Sequence, residues 1–409
     1  MKRELHIFNP ESDLALAFGS EGYTAPPHVR RLRHDLQMLP AWYCGSDAAI
    51  ISQDCATDAD WIAQIGCVFG VEAESIAINH VQNSSFCYYP WGWNHDLRQW
   101  LLRWCVPEED LPSREWIESL RQLSHRRTAV LLHRHLSREL SYALPPEPVE
   151  ARSLAEVLEF ERAYPRCYVK APWSGSGRGV YQALDTGSPN FIEWTGGIIR
   201  RQGSVMCERA LECVMNFALE YHCESGRAEF GGYSVFTTDS HDSFDSCIVA
   251  SRDELRSVIV ERMGDADLLD AVVASCLRFV GDEIAPVYSG WLGIDMMLYR
   301  SEDGSLRLNP CVEINLRMTM GVVAMHLADR CLAPGTTGRF RIEYKKSGIS
   351  ERLPVDRAEI EDGKIVSGTL PLVPLYPSSH YCASLTVQHP AERAGLSSLY
   401  GRENETYKL

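Results

Sequence analysis

The chain begins with a short apolar run, Leu5-His6-Ile7-Phe8, that stops at Asn9-Pro10. Pro10 suits the first turn of a helix, where its missing N–H is not needed, and Glu11 and Asp13 suit that helix's positive end. Ala48-Ala49-Ile50-Ile51 and Ser75-Ile76-Ala77-Ile78 have the composition of strands, and residues 58–65 between them have helical spacing. Such alternation predicts an open α/β domain. Residues 88–94 hold Pro90 and Gly92 and predict a turn, followed by an amphipathic helix through Leu97, Trp100, Leu101 and Trp104. The aromatic residues around that turn are read as core packing, with a ligand wall as the alternative.

Further on, a helical stretch from 125 to about 144 runs to Pro145-Pro146. Ser153 and Glu156 have capping-box spacing for a helix over 154–164 that ends at Pro165. A strand, Cys167-Tyr168-Val169-Lys170, leads directly into the loop from Ala171 to Gly179. A helix over 191–201 follows, then strands over 204–208, 216–221 and 231–236. A helix over 265–279 precedes strands at 291–298 and 306–315. Beyond about residue 340, strand-like runs at 341–344, 363–368 and 384–387 predict a small β-rich tail. No repeat of roughly 20 to 50 residues is visible.

A length of 409 residues predicts two or three domains. No apolar run approaches the roughly 18 residues of a membrane span, and the start lacks a signal-peptide pattern. The expected location is therefore the cytoplasm, with no membrane partner. The net charge of -15 argues against a general grip on nucleic acid, which needs clustered Lys and Arg. The 14 cysteines form no CxxC pair and no zinc-site spacing, so reduced, mostly buried thiols are expected.

Lys170 stands at the end of its strand, followed by Ser174-Gly175-Ser176-Gly177-Arg178-Gly179. A fixed cation and a run of glycine-freed backbone N–H groups can fold over phosphates, although this alone is a weak signal. Neither GxGxxG nor GxxxxGK[ST] is present. Asp295 interrupts an apolar strand, and Glu313-Ile314-Asn315 ends the next one, with Arg317 two residues beyond. Alternate strand positions share a face, so Glu313 and Asn315 point together. Two carboxylates and an amide oxygen are the hard ligands that Mg²⁺ prefers. The bland alternative is a buried acid bonded to backbone and a capped strand end.

Taken in order, Tyr168-Val169-Lys170 with its glycine loop, Cys207-Glu208-Arg209-Ala210-Leu211, Gly293-Ile294-Asp295 and Val312-Glu313-Ile314-Asn315-Leu316-Arg317 resemble the ATP-grasp superfamily, over about residues 125 to 340. The resemblance implies an N-terminal open α/β domain (1–124) and a nucleotide-binding core of two subdomains (125–203 and 204–340). The β-rich tail (341–409) would follow as an appendage, giving a mixed α/β and α+β chain. It implies ATP and Mg²⁺ as cofactors. Lys170 would meet the α- and β-phosphates, and Ser174, Gly175, Ser176 and Gly177 would cover the nucleotide. Glu208 and Leu211 would lie on the adenine hinge. Asp295, Glu313 and Asn315 would hold Mg²⁺, and Arg317 would face the transferred phosphate or the acyl substrate. The chain departs from the pattern twice. Arg126 stands where a lysine is usual, and the ribose acid falls on Met215, with Glu212 as a candidate substitute. Asn9-Pro10-Glu11-Ser12-Asp13 matches no substrate motif.

The function this implies is a ligase that uses ATP to activate a carboxylate as an acyl phosphate for attack by an amine or thiol. Its partners would be small carboxylate and amine substrates, such as amino acids, peptides or metabolites, and the sequence leaves oligomerisation open. One alternative is a non-catalytic nucleotide-binding module acting through a protein partner. Another is a small-molecule kinase. The histidines, among them His133 and His135, are read as surface or packed residues.

Overall fold

Among the N-terminal strands Ala48-Ala49-Ile50-Ile51 is apolar on both faces, which is the pattern of a strand in a parallel sheet covered on both sides. The computed structural model, which describes residues 2–388 apart from 84–85, 176–178, 184–185, 239–243, 347, 349–356 and 377, shows such a sheet. Strands β1 (Arg3–Ile7), β2 (Ala48–Ile51), β3 (Ala73–Ile76) and β4 (Phe86–Pro90) run parallel in the order β3-β2-β1-β4. Leu5, Ile7 and Ala49 face the helix His95–Arg103 through Leu97 and Leu101. Ala48 and Ile50 face the other way, into a core with Trp42, Trp61 and Ile65. Residues 88–90 are thus strand, and the predicted turn shrinks to 91–94. Asn94 ends it by capping the next helix, its Oδ1 accepting from Leu97 N at 2.8 Å.

Strands β5 (Val149–Ala151), β6 (Cys167–Lys170), β7 (Val180–Ala183) and β8 (Val205–Arg209) form an antiparallel sheet in the order β5-β8-β6-β7. The helices Leu154–Ala163 and Pro189–Gln202 cover it through Val157, Phe160, Phe191 and Ile198. Ser153 Oγ accepts from Glu156 N at 3.3 Å, as the capping spacing predicts. The helix expected over 125–144 is shorter, Arg127–Glu139, because Leu140 is already extended on the approach to the prolines.

The third sheet has nine strands. These are β9 (Glu212–Glu224), β10 (Arg227–Thr238), β11 (Phe244–Val249), β12 (Gly290–Arg300), β13 (Leu306–Asn315), β14 (Gly338–Tyr344), β15 (Glu359–Glu361), β16 (Lys364–Pro371) and β17 (Tyr381–Val387). Their order is β13-β12-β9-β10-β11-β14-β17-β16-β15. One face packs on the helices Arg127–Glu139, Arg252–Met263 and Ala266–Phe279. On the other, the helix Met320–Cys331 shares one core with Trp42, Trp61 and Trp91 of the N-terminal module. The β-rich tail is present as β14–β17, and it prolongs this sheet beyond β11. It also holds the N-terminal module: Trp42 Nε1 donates to Leu372 O at 2.6 Å, and Asp35 Oδ2 accepts from His380 N at 2.8 Å. No helix among the described residues is long and apolar enough to cross a membrane. Nine of the fourteen cysteines are buried, and none is disulfide-bonded.

Candidate active site

The end of the nine-stranded sheet sets the site. On adjacent strands Asp295 stands opposite Glu313, and Gly293 opposite Asn315. The two-residue period of a strand puts Asp295, Glu313 and Asn315 on one face, and Glu220 of β9, opposite Gly293, joins them. Asn315 Nδ2 donates to Asp295 Oδ2 at 3.1 Å. Arg317 Nη2 donates to Asn315 Oδ1 at 3.0 Å, and its Nε meets Asp13 Oδ2 at 2.7 Å. From the other side, Arg126 Nη2 reaches Glu313 Oε1 at 2.8 Å and Ser174 Oγ at 3.1 Å, while its Nε donates to Ala171 O at 3.1 Å. Lys170 Nζ pairs with Glu208 Oε2 at 2.5 Å across β6 and β8.

Burial pushes the Asp295 carboxyl up to about 7, with the facing Glu313 adding to it and Arg317 opposing. Glu220 goes further. It is 1% exposed, and burial lifts it to about 8 against the hydrogen bond from Ser234. Ser234 Oγ donates to its Oε1 at 2.8 Å and Thr319 Oγ1 to its Oε2 at 3.0 Å. Thr319 in turn caps the helix Met320–Cys331, accepting from Val322 N at 3.1 Å. Two glycines leave room for this carboxyl. A Cβ at Gly321 would stand 2.0 Å from Glu220 Oε1, and one at Gly293 2.8 Å from Oε2.

No family model matches this sequence, and no curated protein matches it either. Solved structures do. N5-carboxyaminoimidazole synthetase from Staphylococcus aureus, complexed with ADP, is 12% identical with a TM-score of 0.50, covering 100% of this chain and 97% of that one. The biotin carboxylase domain of Hydrogenobacter thermophilus 2-oxoglutarate carboxylase, in complex with MgADP and bicarbonate, is 12% identical with a TM-score of 0.52, over 95% and 87%. Biotin carboxylase from Campylobacter jejuni, in a complex with ATP, gives 11%, 0.50, 94% and 87%. The chain has the ATP-grasp fold.

Within this fold the sequence-predicted residues fall into separate groups. Asn315 links Asp295 to Arg317, Arg126 links Glu313 to Ser174, and the two sets meet where Asp295 stands opposite Glu313 across β12 and β13. Lys170 and Glu208 form a separate pair, and Leu211 lies half-buried between β8 and β9. Gly175 lies against Asp13, where a Cβ would stand 2.5 Å from Oδ2. Ser176 and Gly177 lie outside the described residues. Glu212 is exposed at the start of β9, 3.5 Å from Arg300 Nε, and Met215 is buried in the core beneath the helices.

Two residues of the site escape a reading of the sequence. Glu220 carries the same signal as Asp295, an acid inside an apolar run (Phe217-Ala218-Leu219-Glu220-Tyr221). Asp13 has no such signal, because its partner is 304 positions away. Among the described residues no three His, Cys, Asp or Glu side chains converge as a metal cluster, so the candidate set remains two carboxylates and one amide.

Proposed function

We propose that this protein is an ATP- and Mg²⁺-dependent ligase that activates a carboxylate as an acyl phosphate and passes the acyl group to an amine. The observation that carries the reading is the face bearing Asp295, Glu313 and Asn315, bordered by Arg126 and Arg317. The fit to Mg²⁺ follows from the donors. Asp295 and Glu313 oppose one another on neighbouring strands, and Asp295 is held near neutral pH by burial and by Glu313, a situation that a hard dication relieves. When bound there, Mg²⁺ would supply neutralisation of the charge carried by transferring phosphate.

The chain's own residues do the rest. Lys170 and Arg126 are the cations offered to the nucleotide phosphates, and each now has a carboxylate partner, Glu208 or Glu313, that a polyphosphate can replace. Glu208 and Leu211 border the adenine position. Arg317, oriented by Asn315 and by Met318 O at 3.2 Å, presents a fixed fork to the acyl substrate. A substrate carboxylate oxygen attacks the γ-phosphorus and ADP leaves; the amine then attacks the acyl carbon, and phosphate leaves with the bond's electron pair. Positioning and charge neutralisation carry the catalysis.

The test is an ADP-release assay with paired panels of carboxylates and amines. ADP and inorganic phosphate formed only when both substrates are present supports the ligase. A stable phosphorylated product from one substrate would mean a kinase, and ATP binding without turnover a nucleotide-binding module.

A further inference from the structure

The segment Asn9-Pro10-Glu11-Ser12-Asp13 has no part in handling the nucleotide, yet the fold brings it to the centre of the site. Asn9 clamps Gly92 in both directions, Nδ2 donating to Gly92 O at 2.7 Å and Oδ1 accepting from Gly92 N at 3.4 Å. Next to that clamp, Trp91 O accepts from Met318 N at 2.9 Å, which docks the N-terminal module on the residue after Arg317. Only glycine fits at 92. A Cβ there would stand 2.7 Å from Ser12 Oγ and 3.3 Å from Arg317 Cβ, so Ser12 and the root of Arg317 both border the Gly92 backbone. Asp13 completes the contact through its 2.7 Å pair with Arg317 Nε.

Two features of this junction point to a ligand. Ser12 is 1% exposed, and its Oγ has no hydrogen-bond partner among the described residues. An orphaned buried hydroxyl is costly and calls for a partner. The second feature is the charge arrangement. Asp13 and Arg317 come from different modules, and each now answers the other. An anion entering alone takes Arg317 and leaves the half-buried Asp13 carboxylate without its counterion, which is unfavourable, whereas a cation entering alone leaves Arg317 only the more distant Asp295 and Glu313. A ligand with both charges replaces the pair with no charge left over.

We infer that Ser12, Asp13 and Arg317 form a subsite for a zwitterionic α-amino acid, Arg317 receiving its carboxylate and Asp13 its ammonium, with the Ser12 hydroxyl as a further hydrogen-bonding group. The inference rests on the ligase reading and names one of its two substrates. Gly175 borders the same carboxylate, since a Cβ there would stand 2.5 Å from Asp13 Oδ2.

The experiment uses the full chain with MgADP and follows thermal unfolding. The probes are the twenty standard L-amino acids, with acetate and methylammonium as their two halves. At least one amino acid should raise the unfolding temperature where neither half does so at equal concentration. Asp13→Asn and Arg317→Gln should each weaken that amino acid by roughly ten-fold or more, the loss of one charged contact. Ser12→Ala, which removes no existing contact, should weaken it several-fold and serves if Asp13→Asn does not fold. The inference is overturned if no amino acid shifts a protein that MgATP does stabilise. Persistence of the shift in Ser12→Ala, or in a folded Asp13→Asn, overturns it too, and so does acetate acting equally well. Failure of MgATP itself to stabilise the wild type would remove the ligase reading, which a failure of the amino acids alone does not touch.

Discussion

Arg126 Nη2 lies 2.8 Å from Glu313 Oε1, so a residue just ahead of the helix Arg127–Glu139 closes onto the end of β13. The same guanidinium bonds Ser174 and Ala171, at the root of the glycine loop. One side chain therefore ties the loop to the acidic face.

Arg126→Ala should leave Glu313 unanswered beside Asp295 and cost about 2 kcal/mol of stability, the scale of a charged hydrogen bond. Arg126→Lys keeps the charge but not the fork and should recover part of that loss. Denaturant midpoints check both. A double-mutant cycle with Glu313→Gln should show coupling, because the two side chains share one contact.

The Glu220 pocket predicts an unusual response to alanine. At Gly321 the new methyl meets a carboxylate oxygen at 2.0 Å, so Gly321→Ala should destabilise by about 1 to 3 kcal/mol. The same methyl would stand 2.7 Å from Ser234 Cβ, so adding Glu220→Ala should relieve only the part of this loss that comes from the carboxylate, leaving the double variant less destabilised than additivity predicts. Additive losses would show that the glycine is needed for another reason.

Glu220 also predicts a pH trend. Its folded value, about 8, lies above the ordinary carboxyl value of 4.5, so between these the folded state holds the proton and the unfolded chain does not. Its contribution is thus fully present below about pH 4.5 and is lost as pH rises through about 8. The stability of wild type relative to Glu220→Gln should fall across that window by the order of a few kcal/mol. A flat difference from about pH 5 to 9 would contradict the assignment.

Lys170→Ala removes a buried cation from the phosphate side. Once a substrate pair is found, ADP formation should fall by roughly 10² to 10³, the usual effect of losing one electrostatic donor. Because Lys170 also neutralises Glu208 at 2.5 Å, the variant Lys170→Ala with Glu208→Gln should recover stability without recovering rate. Near-normal turnover by Lys170→Ala would remove Lys170 from the site.

Much of this architecture is legible locally. The bounds of β6 are set by Pro165 before it and Pro172 after it, and β13 alternates apolar Leu306, Leu308, Val312 and Ile314 with polar residues. Strand β4 escaped because Pro90 and Gly92 look like turn signals. Pro90 is the last residue of an edge strand, where a missing N–H is tolerated. The helix Met320–Cys331 escaped for a different reason. Lying between the large sheet and the N-terminal module, it is apolar on most sides and shows no clear amphipathic stripe. The acidic residues of the face could be picked out because acids are rare inside apolar strands. Arg126 could be picked out only as a substitute in a known pattern. Asp13 could not be picked out at all, since only the folded chain brings it to Arg317.

The central claim, that the face bearing Asp295, Glu313 and Asn315 holds Mg²⁺ with ATP, is tested most directly by thermal unfolding of wild type and Glu313→Gln, with and without ATP, at several Mg²⁺ concentrations. A ligand at about 100 times its dissociation constant stabilises by about 2.7 kcal/mol, which is readily seen. The expected result is an ATP shift in wild type that grows with Mg²⁺ and collapses in Glu313→Gln. An ATP shift independent of Mg²⁺ and equal in both proteins, or no shift in either, would contradict it.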